Sequence, residues 1–399
     1  MSRSKLGGNN NFILLTPKSY LLQKNTTFMI RILHMTPPIV NNGVYKYIFQ
    51  LYKYIDHSRF EFEFLMQNPK ALMETEEYQK YHFKIHSFTT TQRENTAKFR
   101  QEIVEILSSG FDVLELHTSF WRGFMIEEIA MQVGIPKVIV HSHSSGLDWN
   151  DPVERRDMME KHERFKREFN ESLATDFWAC SEKAADWLFG ENIDRRKIKI
   201  IHNAINPIPY RYDPQKAVHI KEALGIKEKF VIGNTCRFEF QKNHEFLILC
   251  FAEVLKECED AVLLLAGEGA LQDDMKQFAD QLGVSEKVIF LGWRNDIPNL
   301  LQAIDVYALP SKFEGLPIVA LEAQAAGLRC LVSDTISREV IITKECYPLE
   351  LSVNTWKEKI LQLFHEKYMR SYPIDEFVKA GYDINSYIHT IENLYLGVE

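Results

Sequence analysis

Strand-sized apolar runs alternate with stretches of helical periodicity along this chain, and the alternation starts afresh after a proline-rich stretch near residue 210. The first series opens with MIRILHM at residues 29–35 and a helix-like stretch at residues 44–55. The second opens with KFVIGNTC at residues 229–236, followed by a helix-like stretch at residues 243–256. Such alternation predicts a parallel sheet covered by helices on both faces. We therefore expect an α/β fold with two doubly wound, Rossmann-like domains that face each other across a cleft.

The length of 399 residues also favours two domains, because single cores stop growing beyond about 250–300 residues. The stretch NPIPYRYDPQ holds three prolines and no periodicity, so we place the linker there. A natural start at Met29 is a hypothesis, since the first strand follows at once. The predicted parts are an N-terminal extension with little structure (1–28), a first Rossmann-like domain (29–205), a linker (206–225), a second Rossmann-like domain (226–375) and a C-terminal helix that packs back on the first domain (376–399).

Charge and cysteine content exclude several classes of protein. The net charge of −8 argues against a general nucleic-acid binder. The six cysteines show no C-x-x-C spacing, which indicates neither a zinc site nor a disulfide framework and favours a reducing compartment. The apolar runs are strand-sized and too short to cross a bilayer. We expect a cytoplasmic protein, with peripheral membrane contact at the inner face of the plasma membrane as an open alternative.

The segment LPSKFEGLPIVALEAQAAG, residues 309–327, carries two glutamates, Glu314 and Glu322. It follows an apolar run that ends at a proline, so the predicted order is strand, loop and helix. Glu314 falls in the loop, and Gly315 and Leu316 fall near the helix N-terminus, where free N–H groups attract anions. Glu322 lies among alanines, a composition suited to burial, and a buried carboxylate needs a partner. The alternative is a solvated helix residue and a first-turn capping carboxylate.

Basic residues follow the first strand of the second half. Arg237 and Lys242 stand five residues apart, and Asn243 is predicted to cap the next helix. Two cations beside a helix N-terminus suit a diphosphate, since guanidinium binds phosphate oxygens in pairs and ammonium acts as a point charge. The glycines of AGEG, Gly267 and Gly269, are expected to allow close approach of the backbone to a ligand. These loops share a sheet edge with Glu314, although a basic loop before a helix is common by itself.

Histidines end the strands of the first half. His117, His141 and His143 each lie at or near a strand end, where they are expected to bind either a structural partner or a sugar hydroxyl. His141 and His143 form H-x-H, but no third ligand stands nearby in the sequence, so no metal is expected. Gly43 precedes the first helix and serves either as a turn or as a point of close approach to a ligand. The chain contains no D-x-D, G-x-S-x-G, H-E-x-x-H or P-loop sequence.

These motifs together resemble the retaining glycosyltransferases of family four, which have the GT-B architecture and include bacterial exopolysaccharide and capsule enzymes. The resemblance extends from Met29 onward and is carried by E-x7-E in FEGLPIVALEAQAAG, R-x4-K-N, GEG and FLGWRNDIPNLLQAIDVYALPS. One departure is the first loop, where the family has Gly-Gly and this chain has Asn42-Gly43. The resemblance implies that Arg237 and Lys242 bind the donor diphosphate. It further implies that Glu314 contacts the donor sugar, that Glu322 contacts the ribose, and that the segment with Trp293 and Arg294 contacts the base. His143, in preference to His141, would contact the transferred sugar.

The activity that the resemblance implies is transfer of a sugar from a nucleotide diphosphate sugar to a glycan or lipid-linked acceptor. The second domain would bind the donor and the first the acceptor, with retained anomeric configuration, no metal and no other cofactor. Polysaccharide synthesis at the cell surface is the implied setting. The alternatives are a nucleotide-sugar epimerase of related fold, which needs no acceptor, and a non-catalytic partner subunit that binds the nucleotide sugar.

Overall fold

The computed structural model of the protein describes residues 29–36 and 42–398, so the predicted N-terminal extension lies outside the described residues. The first sheet has seven parallel strands in the order β3-β2-β1-β4-β5-β6-β7. Its strands are β1 (Ile30–Met35), β2 (Phe60–Met66), β3 (Ile85–Ser87), β4 (Val113–Thr118), β5 (Lys137–Ser142), β6 (Asp176–Ala179) and β7 (Ile198–Ile200).

Helices connect these strands and cover the sheet. Two short helices lie between β2 and β3, and a long charged helix follows β5 and ends at Glu168. The helices are α1 (Gly43–Tyr54), α2 (Lys70–Met73), α3 (Glu76–Tyr81), α4 (Thr96–Leu107), α5 (Met125–Val133), α6 (Pro152–Glu168) and α7 (Glu182–Leu188).

The second sheet has six parallel strands in the order β10-β9-β8-β11-β12-β13. The predicted α/β class with two doubly wound, Rossmann-like sheets is thereby confirmed. The strands are β8 (Phe230–Asn234), β9 (Ala261–Leu265), β10 (Val288–Phe290), β11 (Val306–Leu309), β12 (Arg329–Ser333) and β13 (Cys346–Leu349). The helices are α8 (Pro214–Ala223), α9 (His244–Leu255), α10 (Gln272–Gln281), α11 (Ile297–Ala303), α12 (Ile318–Ala325), α13 (Val353–His365), α14 (Ile374–Lys379) and α15 (Ile384–Leu396).

In both sheets the strand order reverses at one point, between β1 and β4 in the first and between β8 and β11 in the second. Ligands of open parallel sheets bind outside the carboxyl ends of the strands at such a switch point. The loops after these four strands are therefore the part of the fold that positions a site. None of the helices within the described ranges is long and apolar enough to cross a membrane.

The segment predicted as a linker contains helix α8, which the sequence analysis missed. Asp213 caps it, because its side chain accepts hydrogen bonds from the backbone N–H groups of Gln215 and Lys216 at 2.9 and 3.3 Å. Pro214 begins the helix, a position where its missing N–H costs nothing. A further bond from the Asp213 N–H to Gln302 Oε1, 2.9 Å, ties the helix to α11 of the second domain. The irregular chain between the sheets is thus shorter than predicted.

The C-terminal helix α15 contacts α1 of the first domain. Its Glu392 side chain accepts a hydrogen bond from the backbone N–H of Asp56 at 2.9 Å. Tyr395 is fully buried and donates its hydroxyl to Glu115 of β4 at 2.5 Å. A buried carboxylate needs such donors, so the end of the chain helps to hold a charged group inside the first sheet.

We predict that Tyr395→Phe lowers the free energy of unfolding by about 1–3 kcal/mol, because Glu115 then loses a hydrogen-bond donor in a buried site. Urea unfolding followed by circular dichroism measures the change. Tyr78→Phe is the matched control, since the Tyr78 hydroxyl makes no hydrogen bond among the described residues. Equal stabilities for the two variants would contradict this role of Tyr395.

Candidate functional site

A cleft of about 2020 Å³ lies between the two sheets, at the carboxyl ends of their strands. Most residues that the sequence analysis selected line it. His141, Asn243, Gly269 and Gly315 do not. The selected residues that line the cleft are Gly43, His117, His143, Arg237, Lys242, Gly267, Trp293, Arg294, Glu314, Leu316 and Glu322.

Glu314 is buried and accepts hydrogen bonds from three side chains. Lys242 Nζ is 2.5 Å and Ser311 Oγ 2.7 Å from its Oε1, and Gln241 Nε2 is 2.7 Å from its Oε2. Burial by itself would lower the pKa of Lys242, but the adjacent Glu314 carboxylate outweighs burial and raises it. Lys242 therefore stays a cation at the floor of the cleft, and its position is set by Glu314.

The segment 314–316, which precedes α12, is held by side chains of the first domain. Three successive carbonyl groups of this segment each accept one hydrogen bond from that domain. The bonds are from Ser145 Oγ to the Glu314 oxygen at 2.6 Å, Ser181 Oγ to the Gly315 oxygen at 2.7 Å, and Asn203 Nδ2 to the Leu316 oxygen at 3.1 Å. The N–H groups of Gly315 and Leu316 have no acceptor within the described part of the chain. They stand at the N-terminus of α12, an arrangement that binds anions.

Gly315 is required by the contact between the two domains. A Cβ atom at this position would lie 2.3 Å from the carbonyl oxygen of His143 and 2.8 Å from Cys180 Sγ. Only glycine lets the two backbones approach so closely. The loop after β5 of the first domain and the E-x7-E loop of the second are thus in direct contact.

The structure requires glycine at both glycine positions of AGEG for a reason other than the predicted close approach of a ligand. A Cβ atom on Gly267 would lie 2.1 Å from the carbonyl oxygen of Cys236, and one on Gly269 would lie 2.5 Å from that of Phe238. Both glycines make room for the neighbouring loop that carries Arg237. They thereby help to position the Arg237 cation. Gly269 does not line the cleft, so the prediction that it lets a ligand approach the backbone has no support there.

Asn243 does not cap α9 with its side chain, so that prediction is wrong. Its backbone is left-handed, with φ 58° and ψ 44°, and this geometry turns the side chain away from the first turn of the helix. Asn243 Nδ2 instead donates to the carbonyl oxygen of Pro310 at 3.1 Å. The residue joins the loop after β8 to the loop after β11, which is a positioning role.

Glu322 is buried and faces two partners that the sequence analysis did not select. Tyr210 donates its hydroxyl to Glu322 Oε1 at 2.9 Å, and Lys46 Nζ lies 3.1 Å from the same oxygen. Lys46 belongs to α1 of the first domain, so this pair spans the cleft. No sequence pattern links Lys46 to Glu322, which lies 276 positions away. Lys46 does stand in the first turn after Asn42-Gly43, so a search of the segments that follow strand ends could have selected it.

Arg237 and the Trp293–Arg294 pair extend the site along the second sheet. The guanidinium of Arg237 lies 3.8 Å from Asp148 and 3.6 Å from Glu239, distances too long for hydrogen bonds. Its side chain is 33% exposed, so its donors are available to a ligand. Trp293 is 47% exposed and offers a flat apolar surface. Arg294 instead makes a double hydrogen bond to Asp296, 2.7 Å for each, and is not a free cation.

A chain of histidines leads from the interior of the first sheet to the cleft. His34 Nδ1 lies 3.1 Å from His117 Nε2, and His117 Nδ1 lies 2.9 Å from His143 Nε2. Glu115 stands at the inner end, 2.8 Å from His141 Nδ1 and 3.5 Å from His34 Nδ1. Burial lowers the pKa of His34 to about 4 and that of His141 to about 3, and it lowers the pKa of the other two histidines as well. The imidazoles are therefore neutral near pH 7.

The buried Nε2 of His34, which has no hydrogen-bond partner among the described residues, sets the direction of the hydrogen bonds in this chain. His34 then carries its proton on Nδ1 and donates to His117, which donates through its own Nδ1 to His143. The opposite direction would bury the His34 Nε2–H without an acceptor, which costs more than burying a free lone pair. We infer that His143 keeps its proton on Nδ1, whose N–H has no acceptor among the described residues and is available to a ligand. His141 is confined to Glu115 and does not line the cleft.

The fold brings a third histidine, His117, next to His141 and His143, although it is not near them in the sequence. His117, His141 and His143 have ligand atoms within 4.8 Å of one another, which is a spacing that a metal ion could use. The original reason for expecting no metal, the lack of a third ligand nearby in sequence, is therefore wrong. Two of these histidines already share a hydrogen bond, and the expectation of a metal-free enzyme stays a prediction.

Two facing Rossmann-like sheets with a cleft at their carboxyl edges define the GT-B class of glycosyltransferases. Solved structures share this architecture. Alr3699/HepE of Anabaena in complex with UDP and glucose superposes with a TM-score of 0.72 at 16% identity, covering 92% of this chain and 100% of that one. WaaG, a glycosyltransferase involved in lipopolysaccharide biosynthesis, superposes with a TM-score of 0.68 at 16% identity, covering 92% and 100%. At these identities the likeness establishes the fold.

The sequence comparisons match this chain to glycosyltransferases. Residues 218–376 match the model of glycosyl transferases group 1. EpsF of Bacillus subtilis (strain 168), which carries the name of a glycosyltransferase, is 28% identical over 383 residues, 92% of this chain and 96% of EpsF. The UDP-Gal:alpha-D-GlcNAc-diphosphoundecaprenol alpha-1,3-galactosyltransferase of Escherichia coli is 30% identical over 217 residues, 51% of this chain and 55% of that enzyme. This chain is a glycosyltransferase with the GT-B fold, and residues 218–376 are similar to group 1.

We predict that His143→Ala lowers the rate of glycosyl transfer by about 10²-fold while leaving stability nearly unchanged, because His143 offers a donor to the cleft. His141→Ala should do the reverse and cost about 1–3 kcal/mol of unfolding free energy, since buried Glu115 loses a donor. Initial rates and urea unfolding of both variants measure the two effects. Loss of transfer in a stable His141→Ala protein, with His143→Ala fully active, would show that the two histidines were assigned the wrong way round.

Proposed function

We propose that this protein transfers a sugar from a nucleotide diphosphate sugar to a glycan or lipid-linked acceptor, with retained anomeric configuration and without a metal ion. One observation carries the proposal. Arg237, Lys242, Glu314 and Glu322, which stand up to 85 positions apart in the sequence, line a single cleft together with Leu316, whose N–H group has no acceptor among the described residues. This set matches the parts of a nucleotide diphosphate sugar: cations and N–H groups for the diphosphate, and carboxylates for hydroxyl groups.

The donor diphosphate fits between the second-domain cations and the N-terminus of α12. Arg237 supplies planar pairs of N–H donors, and Lys242 adds a point charge that Glu314 holds in place. The N–H group of Leu316, just before α12, adds an uncharged donor. These groups would stabilise the negative charge that grows on the leaving diphosphate. They are fixed before the reaction, so little reorganisation is needed in the transition state.

Departure of the diphosphate from the face that the acceptor attacks is the proposed route to retention. A double displacement would need a carboxylate free to attack the sugar carbon. Glu314 accepts three hydrogen bonds at 2.5–2.7 Å and is buried, which suits a positioning group better than a nucleophile. His143 would donate its Nδ1–H to a hydroxyl oxygen of the transferred sugar. In this arrangement the leaving phosphate oxygen takes the proton of the acceptor hydroxyl.

The acceptor and the setting rest on relatives. Two of them are named for acceptors on diphospho-undecaprenol, the galactosyltransferase of Escherichia coli and an N-acetylgalactosaminyltransferase of Campylobacter jejuni, the latter 30% identical over 143 residues. We propose a glycan or lipid-linked acceptor of the same kind and a place in cell-surface polysaccharide synthesis. The enzyme would then work in the cytoplasm, in peripheral contact with the inner face of the membrane when it meets its acceptor.

We predict that Lys242→Ala lowers turnover by about 10²–10³-fold, because it removes a fixed charge beside the leaving diphosphate. The fold should persist, since Ser311 and Gln241 still donate to Glu314. Release of nucleoside diphosphate from a panel of nucleotide sugars is the assay, and circular dichroism checks the fold. The matched control is Lys276→Ala, which removes an exposed lysine of the same domain that pairs only with Asp273. Near wild-type turnover in a folded Lys242→Ala protein would contradict this role.

Retention and metal independence have their own test. We predict that turnover is unchanged after dialysis against a chelator and in its presence, because Arg237 and Lys242 supply the positive charge for the diphosphate. Proton NMR of the product formed at early times should show the anomeric configuration of the donor. Loss of activity on chelation with recovery on adding a divalent ion would rule out metal independence, and an inverted product would rule out retention. An epimerised donor formed without acceptor would identify an epimerase instead.

A further inference from the structure

Four cations of the first domain line the cleft on the side away from the donor residues. We call them the basic rim: Arg93, Arg122, Lys161 and Arg164. Arg93 lies in the loop between β3 and α4, Arg122 lies in the loop after β4, and the other two lie on α6. Neither the motifs nor the proposed donor site makes use of any of them.

Contacts around Gly123 bring the three segments of the basic rim together. The position of a Cβ atom on Gly123 lies 3.8 Å from the side chain of Gln92 and 4.0 Å from the ring of Phe165. Each of these three residues is the chain neighbour of a rim arginine. The pKa of Arg122 is lowered by burial and also by the charge of Arg93, as expected for two cations that lie near each other.

The basic rim has almost no carboxylate partners. Within the described residues, Arg93, Arg122 and Lys161 form no ion pair, and Arg164 Nε reaches Glu168 only at 3.9 Å. Arg122 lies over the ring of Phe120 at 4.4 Å, which holds it in place without neutralising it.

Carboxyl groups also lie near the basic rim. Asp157 and Glu160 share a groove with Lys161 and Arg164, but neither forms an ion pair with a rim cation among the described residues. Glu94 accepts hydrogen bonds from the N–H and hydroxyl of Thr91 at 2.7 and 2.8 Å, which fixes its carboxylate on its own loop. Burial raises the pKa of Glu127 to about 7, so that carboxyl carries only part of a charge at neutral pH. The donors of the rim cations are therefore not occupied by close carboxylates.

The cleft has room for a second ligand at the rim. Its volume of about 2020 Å³ exceeds the roughly 300–1,000 Å³ that one small molecule typically occupies. The donor cations lie on the second domain, whereas the rim lies on the first, beyond His143. Aromatic side chains stand beside the rim and offer apolar surface to a sugar ring or a lipid chain: Phe120, Trp149 and Phe165.

We propose that the basic rim binds a phosphate or diphosphate group on the acceptor, so that the acceptor is a phosphate-linked glycan or glycolipid. The inference rests on the proposed function and adds to it the chemical class of the acceptor and the residues that hold its charge. Guanidinium pairs are suited to phosphate oxygens, and the absence of carboxylate partners leaves their donors free. The anion would anchor the acceptor in the first domain while its sugar hydroxyl reaches the donor beside His143.

The test measures binding of geranyl diphosphate by calorimetry, with the donor site saturated by UDP. The double variant Arg122→Gln/Lys161→Gln is compared with the wild type and with Lys70→Gln/Arg156→Gln. That control removes two first-domain charges that lie outside the cleft and form no ion pair among the described residues. We expect a dissociation constant at least about tenfold higher in the rim variant, no change in the control, and no binding of uncharged geraniol that depends on the rim.

Three results would overturn the proposal: no binding of geranyl diphosphate to the wild type, equal binding by the wild type and the rim variant, or an equal loss in the control. The phosphate of a membrane lipid is the other source of the same chemistry, and vesicles containing phosphatidylglycerol distinguish it. A rim variant that loses vesicle binding but keeps geranyl diphosphate binding would make the rim a membrane surface and also overturn the proposal. Failure of UDP and of every nucleotide sugar to bind would instead refute the donor site, which is a separate outcome.

Discussion

The site depends on the way the segment 314–316 is held between the two domains. Its three carbonyl groups accept hydrogen bonds from the first domain, and Gly315 fits against the backbone of His143 because it has no side chain. With the carbonyls occupied, the N–H group of Leu316, which lines the cleft and has no acceptor among the described residues, is left for a ligand. The same contact that joins the domains thus prepares the anion-binding end of α12, and both sheets contribute to one cleft.

The buried glutamates of the site each have a cation at short range. Charged side chains with such partners are fixed in position, whereas charged side chains without them are available to a ligand. Glu314 is matched by Lys242, and Glu322 by Lys46 and Tyr210. The imidazoles of the histidine chain carry no charge near pH 7, because burial lowers their pKa values. Arg237 and the basic rim stand apart from this pattern. Among the described residues no carboxylate lies within hydrogen-bond distance of these cations, and we assign their free donors to ligands.

Local features of the site could be predicted from the sequence, and relations between distant segments could not. The E-x7-E segment showed its strand, loop and helix order, and Arg237 and Lys242 were recognisable as cations at a strand end. Lys46 and Tyr210 went unnoticed because only the closed arrangement of two domains brings them to Glu322. The glycines of AGEG were recognised in the sequence, but the close contact that requires them is made by a neighbouring loop. His117 became the third member of a histidine group only when β4 and β5 paired in register.

The most direct measurement of the central claim is a crystal structure of the protein with a non-hydrolysable nucleotide diphosphate sugar. The account predicts one ligand in the cleft, with diphosphate oxygens in hydrogen-bond distance of Arg237, Lys242 and the Leu316 N–H, and with ribose hydroxyls at Glu322. A ligand whose diphosphate contacts none of these groups, or one bound outside the cleft, would contradict it.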